Sequence, residues 1–361
     1  MSKKRTLDSF FSKAPAPKRE KVDEEGLATT PNQNSTIKEE NDIPKKYTNH
    51  ATYPWPVPHF PPAIEDQLGF CPATEPHFIN DKPDLDLAYY EPYVSKEIQR
   101  AVFTFLRENL FFYRVRYTIK RGGIDTQINT PRFTTVFGVD DTSFWTETTP
   151  NTNDNDNQPN TTTTTEFVLT DRHPKPVQKY KCTPRPIPHC LDTLRKLTEA
   201  STGEQFNFCL VNYYASGADS ISYHSDDERF LGKEPCIASF SFGARRDFLM
   251  RHKPVPPKDG GEQLPKDLEE AISKPLKLPL GSGDMVLMRG ATQANWLHSI
   301  PKRKGGESDR GRINITFRRA LVRGGTENYY QYNVGDGEVY RWDEMGQEMG
   351  PWTAPATKEE V

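Results

Sequence analysis

The sequence predicts a mostly β fold with flanking helices, an antiparallel sandwich or jelly roll. Two observations carry this. Short strand-like runs recur through the second half, at Phe206–Val211, Ile237–Phe242, Asp247–Arg251, Asp284–Met288 and Ile313–Phe317. Helical spacing is rare by comparison, and shows best in the stretches that follow Ser95 and Pro188.

Taken in order, residues 1–50 are polar, charged and poor in aliphatics, and are expected to be disordered. One island stands out, Lys4-Arg-Thr-Leu7-Asp-Ser-Phe10-Phe11. Leu7 and the Phe10–Phe11 pair share one face of a single helical turn and have no core to enter. Residues 4–11 therefore suggest a docking peptide. Its spacing resembles the box that binds the sliding clamp of DNA replication, with Lys4 where that box normally starts with Gln. Lys3-Lys-Arg5 and Lys18-Arg-Glu-Lys21 fit a nuclear-localisation pattern, or a solvated charge run. Residues 51–94 are rich in Pro and aromatics, as in Tyr53-Pro-Trp-Pro-Val-Pro58, and read as an extended strap or a linker. Ser95 then caps a helix with Ile98, Ala101, Val102, Phe105 and Leu106 on its apolar side.

Leu110-Phe111-Phe112-Tyr113 leads into Arg114-Val-Arg-Tyr-Thr-Ile119. Val115, Tyr117 and Ile119 alternate with Arg114 and Arg116, which is a strand. A Gly pair and Thr130-Pro-Arg132-Phe-Thr-Thr-Val-Phe137-Gly138 follow. Arg interleaved with aromatics suits a nucleic-acid lid, because Arg meets phosphate and aromatics meet bases. A basic outer strand over core aromatics gives the same pattern. In a lid, Phe111 or Phe112 would wedge into the base stack. Residues 146–165 are Thr/Asn-rich without apolar period and read as a disordered insertion. Glu166-Phe-Val-Leu169 resumes the sheet, and the helix from Pro188 turns Leu191, Leu194 and Leu197 inward.

The centre of the chain is Tyr223-His224-Ser-Asp226-Asp227-Glu228. In an extended segment His224 and Asp226 point the same way. An imidazole and a carboxylate on one side are two-thirds of the facial triad that holds Fe(II) with positions left open. The missing ligand must be a distant His, and His298 in Trp296-Leu-His298-Ser-Ile-Pro is the candidate. Beyond it, Arg312-Ile-Asn314-Ile-Thr316-Phe-Arg318 turns Ile313, Ile315 and Phe317 to one side and Arg312, Asn314, Thr316 and Arg318 to the other. Two Arg on the inner side of a core strand must meet anions, and a dicarboxylate supplies two. A lone His-x-Asp is most often a surface pair, and two Arg on one strand are most often solvated. In this order on strand-like segments the set is far more specific. Pro254–Pro275 reads as an insertion with one short helix, and Lys302-Arg-Lys304 as a basic loop that is a phosphate contact or a solvated turn. Residues 322–361 are polar and Gly/Tyr-rich, and suggest no role.

Asn212-x-Tyr214, His224-x-Asp226, His298 and Arg312-x-Asn-x-Thr-x-Arg318 together resemble the AlkB family of Fe(II)/2-oxoglutarate-dependent dioxygenases. Phe206-Asn-Phe, His224-x-Asp-Asp-Glu228 and Ala238-Ser-Phe-Ser-Phe-Gly243-Ala-Arg-Arg-Asp-Phe248 look most like its nuclear DNA-repair members, the second and third animal homologues. The resemblance is strong over 205–321, the expected dioxygenase core, weaker over 95–204, and leaves both ends uncovered. It implies a double-stranded β-helix with the metal between two sheets. It also implies His224, Asp226 and His298 on Fe(II), with Asn212, Tyr214, Arg312, Asn314, Thr316 and Arg318 around 2-oxoglutarate. It implies a nucleotide-recognition lid containing Arg132 and Phe137, and oxidative removal of N-linked methyl groups from bases such as 1-methyladenine and 3-methylcytosine in DNA. Such bases are cationic, so Asp227 and Glu228 fit as nearby carboxylates, or as a solvated acidic turn. Expected partners are alkylated DNA and the sliding clamp, in the nucleus, for a monomer. Demethylation of RNA or single strands is the alternative within this chemistry. A protein hydroxylase, or an interaction protein with a vestigial iron site, is the alternative outside it.

Composition sets the remaining bounds. Of 361 residues, 31 are Pro and only 34% are hydrophobic, so much of the chain is not core. A formal charge of −3 means that basic residues act locally rather than as a global field. Cys71, Cys182, Cys190, Cys209 and Cys236 are scattered, which suits a reducing compartment, and Cys209 and Cys236 read as buried thiols. No long apolar run predicts a membrane span.

Overall fold

Among the described residues every named strand pair is antiparallel, and the strands make a ten-stranded sheet, a four-stranded sheet and two separate hairpins. The computed structural model describes residues 57–148, 166–173, 180–255, 265–306 and 310–353. The box at Leu7, Phe10 and Phe11, the basic clusters and residues 149–165 of the expected insertion lie outside these. In chain order the elements are α1 (Pro62–Leu68), β1 (His77–Ile79), β2 (Leu87–Tyr90), α2 (Gln99–Asn109), β3 (Phe112–Tyr113), β4 (Arg116–Arg121), β5 (Ile124–Asn129), β6 (Phe133–Gly138), β7 (Ser143–Thr148) and β8 (Glu166–Asp171). Then come α3 (His189–Thr202), β9 (Phe208–Tyr214), β10 (Ile221–His224), β11 (Ile237–Gly243), β12 (Arg246–His252), α4 (Lys266–Ser273), β13 (Leu276–Leu280) and β14 (Met285–Met288). The chain continues through α5 (Thr292–Asn295), β15 (Trp296–Ile300), β16 (Arg312–Arg318), α6 (Glu327–Asn333), β17 (Val339–Asp343) and β18 (Glu348–Pro351).

The large sheet runs β1-β2-β14-β11-β16-β9-β6-β3-β17-β18, and the small one β10-β15-β12-β13. β9 and β16 at the centre of the large sheet are buried at every position. The alternation of β16 explains why. Ile313, Ile315 and Phe317 enter an apolar cluster with Val102 and Leu106 of α2 and Leu191 and Leu194 of α3. Between the sheets lies a second cluster, with Tyr214, Val286 and Met288 from the large sheet and Phe248, Met250 and Trp296 from the small one. This is the expected jelly-roll arrangement, with the polar face of β16 left to line the space between the sheets.

Several local expectations change. The helix after Ser95 starts at Gln99, with Ile98 at its cap and no side-chain cap. Ile98, Val102, Phe103 and Leu106 are its buried residues, while Ala101 is exposed and Phe105 half-buried against Phe60. The basic strand begins at Arg116 and forms a hairpin with β5, turned by Gly122 and Gly123 at φ 57° and 85°. β8 pairs with β7 alone and does not rejoin the large sheet. Residues 57–94 are more than a strap, because they supply α1, β1 and β2, and β2 pairs with β14. At the opposite edge β17 pairs with β3, so the C-terminal segment is part of the sheet. Cys209 is buried as expected, whereas Cys236 is only half-buried. Among the described residues no helix is long and apolar enough to cross a membrane.

Candidate active site and metal centre

β10 and β15 pair so that His224 faces His298 directly across the ladder. Asp226 follows the end of β10, and its backbone N–H donates to Gln293 Oε1 at 2.9 Å. The ring centroids of His224 and His298 are 4.2 Å apart and tilted by 57°. Nε2 of His224 lies 4.0 Å from one Asp226 carboxylate oxygen, and Nε2 of His298 lies 3.8 Å from the other. All three donor atoms fall within 4.8 Å of one another, and all three residues are buried. His224 Nδ1 meets the Ser222 carbonyl at 2.8 Å, which suits an N–H donor there and leaves Nε2 as the ligand atom.

The electrostatics fit a cation. Burial, then the neighbouring His224, pushes His298 down to about 3. Burial also lowers His224, so both rings are neutral, as ligands must be. Burial works against the Asp226 carboxylate, but Arg318 and then the two imidazoles outweigh it and hold it below its ordinary value. Among the described residues one further trio, His59, Glu65 and His189, brings ligand atoms as close. Its two rings stack in parallel, 3.9 Å apart at 8°, so their in-plane lone pairs do not converge.

The polar face of β16 opens into the same cavity, of about 950 Å³, which the triad, Asn212, Tyr214, Arg312, Asn314, Thr316 and Arg318 all line. Arg318 Nη2 sits 3.1 Å from Asp226 Oδ2, and Nη1 donates to the Tyr329 hydroxyl. Burial opposes the Arg318 charge, yet Asp226, Tyr329 and Glu228 more than offset it, so it is held above its ordinary range. Arg312 is different. Nη2 donates to Ser241 Oγ at 2.7 Å, while Nε and Nη1 have no hydrogen-bond partner. Burial pushes this guanidinium down to about 10. A buried fork with two free N–H groups is built for a carboxylate, which fits one end of 2-oxoglutarate. Asn314 is fixed by Ser239 Oγ at 2.9 Å and the Phe240 carbonyl at 2.7 Å, and Thr316 by the Leu210 carbonyl at 3.1 Å.

Residues expected to meet substrate divide. Arg132 lines the cavity and donates through Nε to Asn212 Oδ1 at 2.7 Å. Glu228 also lines it, and burial followed by Asp226 raises its carboxyl to about 7. Asp227 is outside the cavity lining and pairs with Lys253 Nζ at 2.6 Å. Phe112 and Phe137 are fully buried in the main core. Phe111 packs edge-on against Trp352, with centroids 4.9 Å apart. The expected wedge is therefore corrected: β3 is an interior strand between β6 and β17, and neither of its neighbouring Phe rings reaches the surface. Two site residues gave little signal. Gln293 holds Asp226 from α5, and Tyr329 reaches the cavity from α6. The run Tyr329-Tyr-Gln-Tyr332 after a Gly pair was the one hint of the latter.

The family model of the 2OG-Fe(II) oxygenase superfamily matches residues 119–318. Alpha-ketoglutarate-dependent dioxygenase alkB homolog 3 of Rattus norvegicus is 43% identical over 141 residues, 38% of this chain and 44% of that protein. DNA oxidative demethylase ALKBH2 of Homo sapiens is 39% identical over 140 residues, 39% of this chain and 49% of that one. The Arabidopsis thaliana ALKBH2 is 36% identical over 142 residues, 38% and 44% of the two chains. The chain thus spans about half the length of the curated relatives it matches. A solved structure of OsALKBH1 covers 67% of this chain and 100% of its own at 16% identity and a TM-score of 0.35, too loose a likeness to argue from. With the superfamily match over more than half its length, and with the jelly-roll core and the buried His-Asp-His set, the chain belongs to the 2OG-Fe(II) oxygenase superfamily, with Fe(II) and 2-oxoglutarate as cofactor and cosubstrate.

Proposed function

We propose that this chain is an oxidative demethylase of N-alkylated bases in DNA, of the 1-methyladenine and 3-methylcytosine type. The observation that carries it is one cavity shared by His224, Asp226 and His298, whose donor atoms lie within 4.8 Å of one another, and by the buried fork of Arg312. His224, Asp226 and His298 would hold the metal on one face. Arg318, beside Asp226, suits the carboxylate at the keto-acid end of 2-oxoglutarate, and Arg312 the distal one. Asn212, Tyr214, Asn314 and Thr316 supply the polar lining between them. When both are bound, the centre would supply, from dioxygen, the oxidant that hydroxylates an N-methyl carbon: one oxygen atom enters that C–H bond and the other enters the succinate left when 2-oxoglutarate loses carbon dioxide. The hydroxymethyl product is a hemiaminal. Its O–H proton is lost, a C=O bond forms, and the C–N electron pair returns to the base as formaldehyde departs.

Glu228 and Arg132 line the same cavity, where a carboxylate favours a cationic base over a neutral one. The impaired pairing of such a base lowers the cost of extruding it from a duplex. DNA as substrate is supported by the relatives named DNA oxidative demethylase. The nucleus, and the sliding clamp as partner through Leu7, Phe10 and Phe11, rest on the sequence pattern alone. Single-stranded DNA or RNA is the second substrate class, favoured by the burial of Phe111 and Phe112, which removes the expected wedge.

The test is formaldehyde release with Fe(II), 2-oxoglutarate and ascorbate from matched oligonucleotides carrying 1-methyladenine, with His224→Ala as control. Turnover on DNA that the control loses supports the proposal. Turnover on RNA alone replaces the substrate class, and iron-loaded folded protein that consumes no 2-oxoglutarate overturns it.

A further inference from the structure

The superfamily match ends at Arg318, yet the cavity does not. Val322, Gly324, Gly325, Glu327, Asn328 and Tyr329 form one of its walls. This wall is fixed from behind. The Tyr330 hydroxyl donates to the Gly138 carbonyl at 2.7 Å and accepts from the Arg185 backbone N–H at 2.9 Å. The Gly324 N–H donates to Asp140 Oδ2 at 3.0 Å, and Glu327 Oε1 accepts from the Lys181 N–H at 2.7 Å. Tyr329 lines the cavity from the same helix and is held by packing of its own. Its ring meets Phe208 edge-on at 5.2 Å and Phe230 at 5.9 Å, and it is 8% exposed.

The Tyr329 hydroxyl joins two charged groups. Arg318 Nη1 donates to it, and it donates to Glu228 Oε1 at 2.5 Å. A guanidinium can only donate, so the phenolic proton is left for Glu228 and the direction of the chain is fixed. Arg318 is thereby held where its other nitrogen reaches Asp226. Glu228 is held with Oε2 buried and without a partner, an acceptor left over in a cavity that needs one.

We propose that Tyr329, outside the part of the chain matched by the superfamily, is a positioning residue of the active centre. Its hydroxyl keeps Arg318 against Asp226 for the cosubstrate, and keeps the free oxygen of Glu228 available to a cationic base. The second half of this statement rests on the demethylase function proposed above; the first does not.

The experiment compares Tyr329→Phe with Tyr330→Phe. The first keeps the ring packed on Phe208 and Phe230 and removes the relay. The second removes a hydroxyl of the same helix that only anchors it. Two quantities are read: the dissociation constant of 2-oxoglutarate from the Mn(II)-loaded protein by calorimetry, and the ratio of demethylation of 1-methyladenine to that of the neutral 3-methylthymine. Tyr329→Phe is expected to weaken 2-oxoglutarate about tenfold, the loss of one charge-assisted hydrogen bond, and to narrow the cationic-to-neutral ratio. Tyr330→Phe is expected to lower the melting temperature and leave both quantities alone. A Tyr329→Phe protein with wild-type affinity and ratio overturns the proposal, and so does an equal change in both variants, which would mean a merely structural role. If the wild type demethylates nothing while Tyr329→Phe alone weakens 2-oxoglutarate, the positioning of Arg318 stands and the proposed substrate falls.

Discussion

Replacing Arg312 by methionine separates two effects that the native side chain combines. Its guanidinium is 1% exposed and has one hydrogen bond, to Ser241. Burial pushes it down from its ordinary range to about 10, which corresponds to roughly 3 kcal/mol of burial penalty at about 1.36 kcal/mol per tenfold change. Methionine removes that penalty and fills most of the space. It also removes the Ser241 bond, worth about 1.5–3 kcal/mol with a charged donor. The cosubstrate-free variant should thus match or slightly exceed the wild type in stability. With 2-oxoglutarate at a hundred times its dissociation constant, the wild type should gain about 2.7 kcal/mol, or roughly 5–10 °C at about 2–4 °C per kcal/mol. Loss of a desolvated charge pair costs about 2–5 kcal/mol, which is roughly 30- to 5,000-fold in affinity. The variant should therefore keep at most about a third of that shift at the same concentration. Thermal unfolding of the Mn(II)-loaded proteins, with and without 2-oxoglutarate, measures both. A variant that melts well below wild type yet keeps the full 2-oxoglutarate shift would refute the reasoning and make Arg312 a structural cation.

Asp226→Asn should abolish Mn(II) binding by calorimetry and leave Arg318 buried without its carboxylate, a loss of about 3–5 kcal/mol visible in urea unfolding. Gly138→Ala should lose about 2–4 kcal/mol, because φ is 96° and a Cβ would sit 2.2 Å from the Asn207 carbonyl oxygen; activity per folded molecule should survive. Phe112→Ala should cost about 3–5 kcal/mol without altering the ratio of duplex to single-strand turnover. A collapsed ratio at wild-type stability would return that ring to a DNA-facing role. Lys253→Ala removes a largely covered pair with Asp227 and a hydrogen bond to the Gln293 carbonyl at 3.0 Å, and should cost about 1.5–3 kcal/mol in urea unfolding.

The site was more legible than its surroundings, for a physical reason. His224, Asp226, Arg312 and Arg318 are charged or polar groups on apolar strands, and burial of such groups demands an explanation that the sequence itself raises. The alternation of β16 then assigns each side chain to a face without any knowledge of neighbours. Phe111 and Phe112 carry no such demand. An aromatic run reads alike for a core and for a wedge, and the partners that decide, Trp352 and β17, come from the far end of the chain. The edges failed for a related reason. β1 has three residues, two of them exposed, and β17 alternates weakly, so neither shows a period until its partner strand is known. Asp227 and Glu228 were indistinguishable in the sequence because the strand ends at His224, and only Lys253 shows which carboxylate turns away.

The direct opposition of His224 and His298 in the β10–β15 ladder has a consequence for how the protein opens. The ladder is irregular between Ile221 and His224, but the two ligands themselves stand opposite each other in register. A slip of one residue turns every side chain of a strand to the other face, so the small sheet cannot creep in register and keep its ion. Occupancy and strand register become a single all-or-none variable. Amide exchange in β10 and β15 should then slow together when the ion binds, while the edge strand β13, which contributes no ligand, continues to breathe.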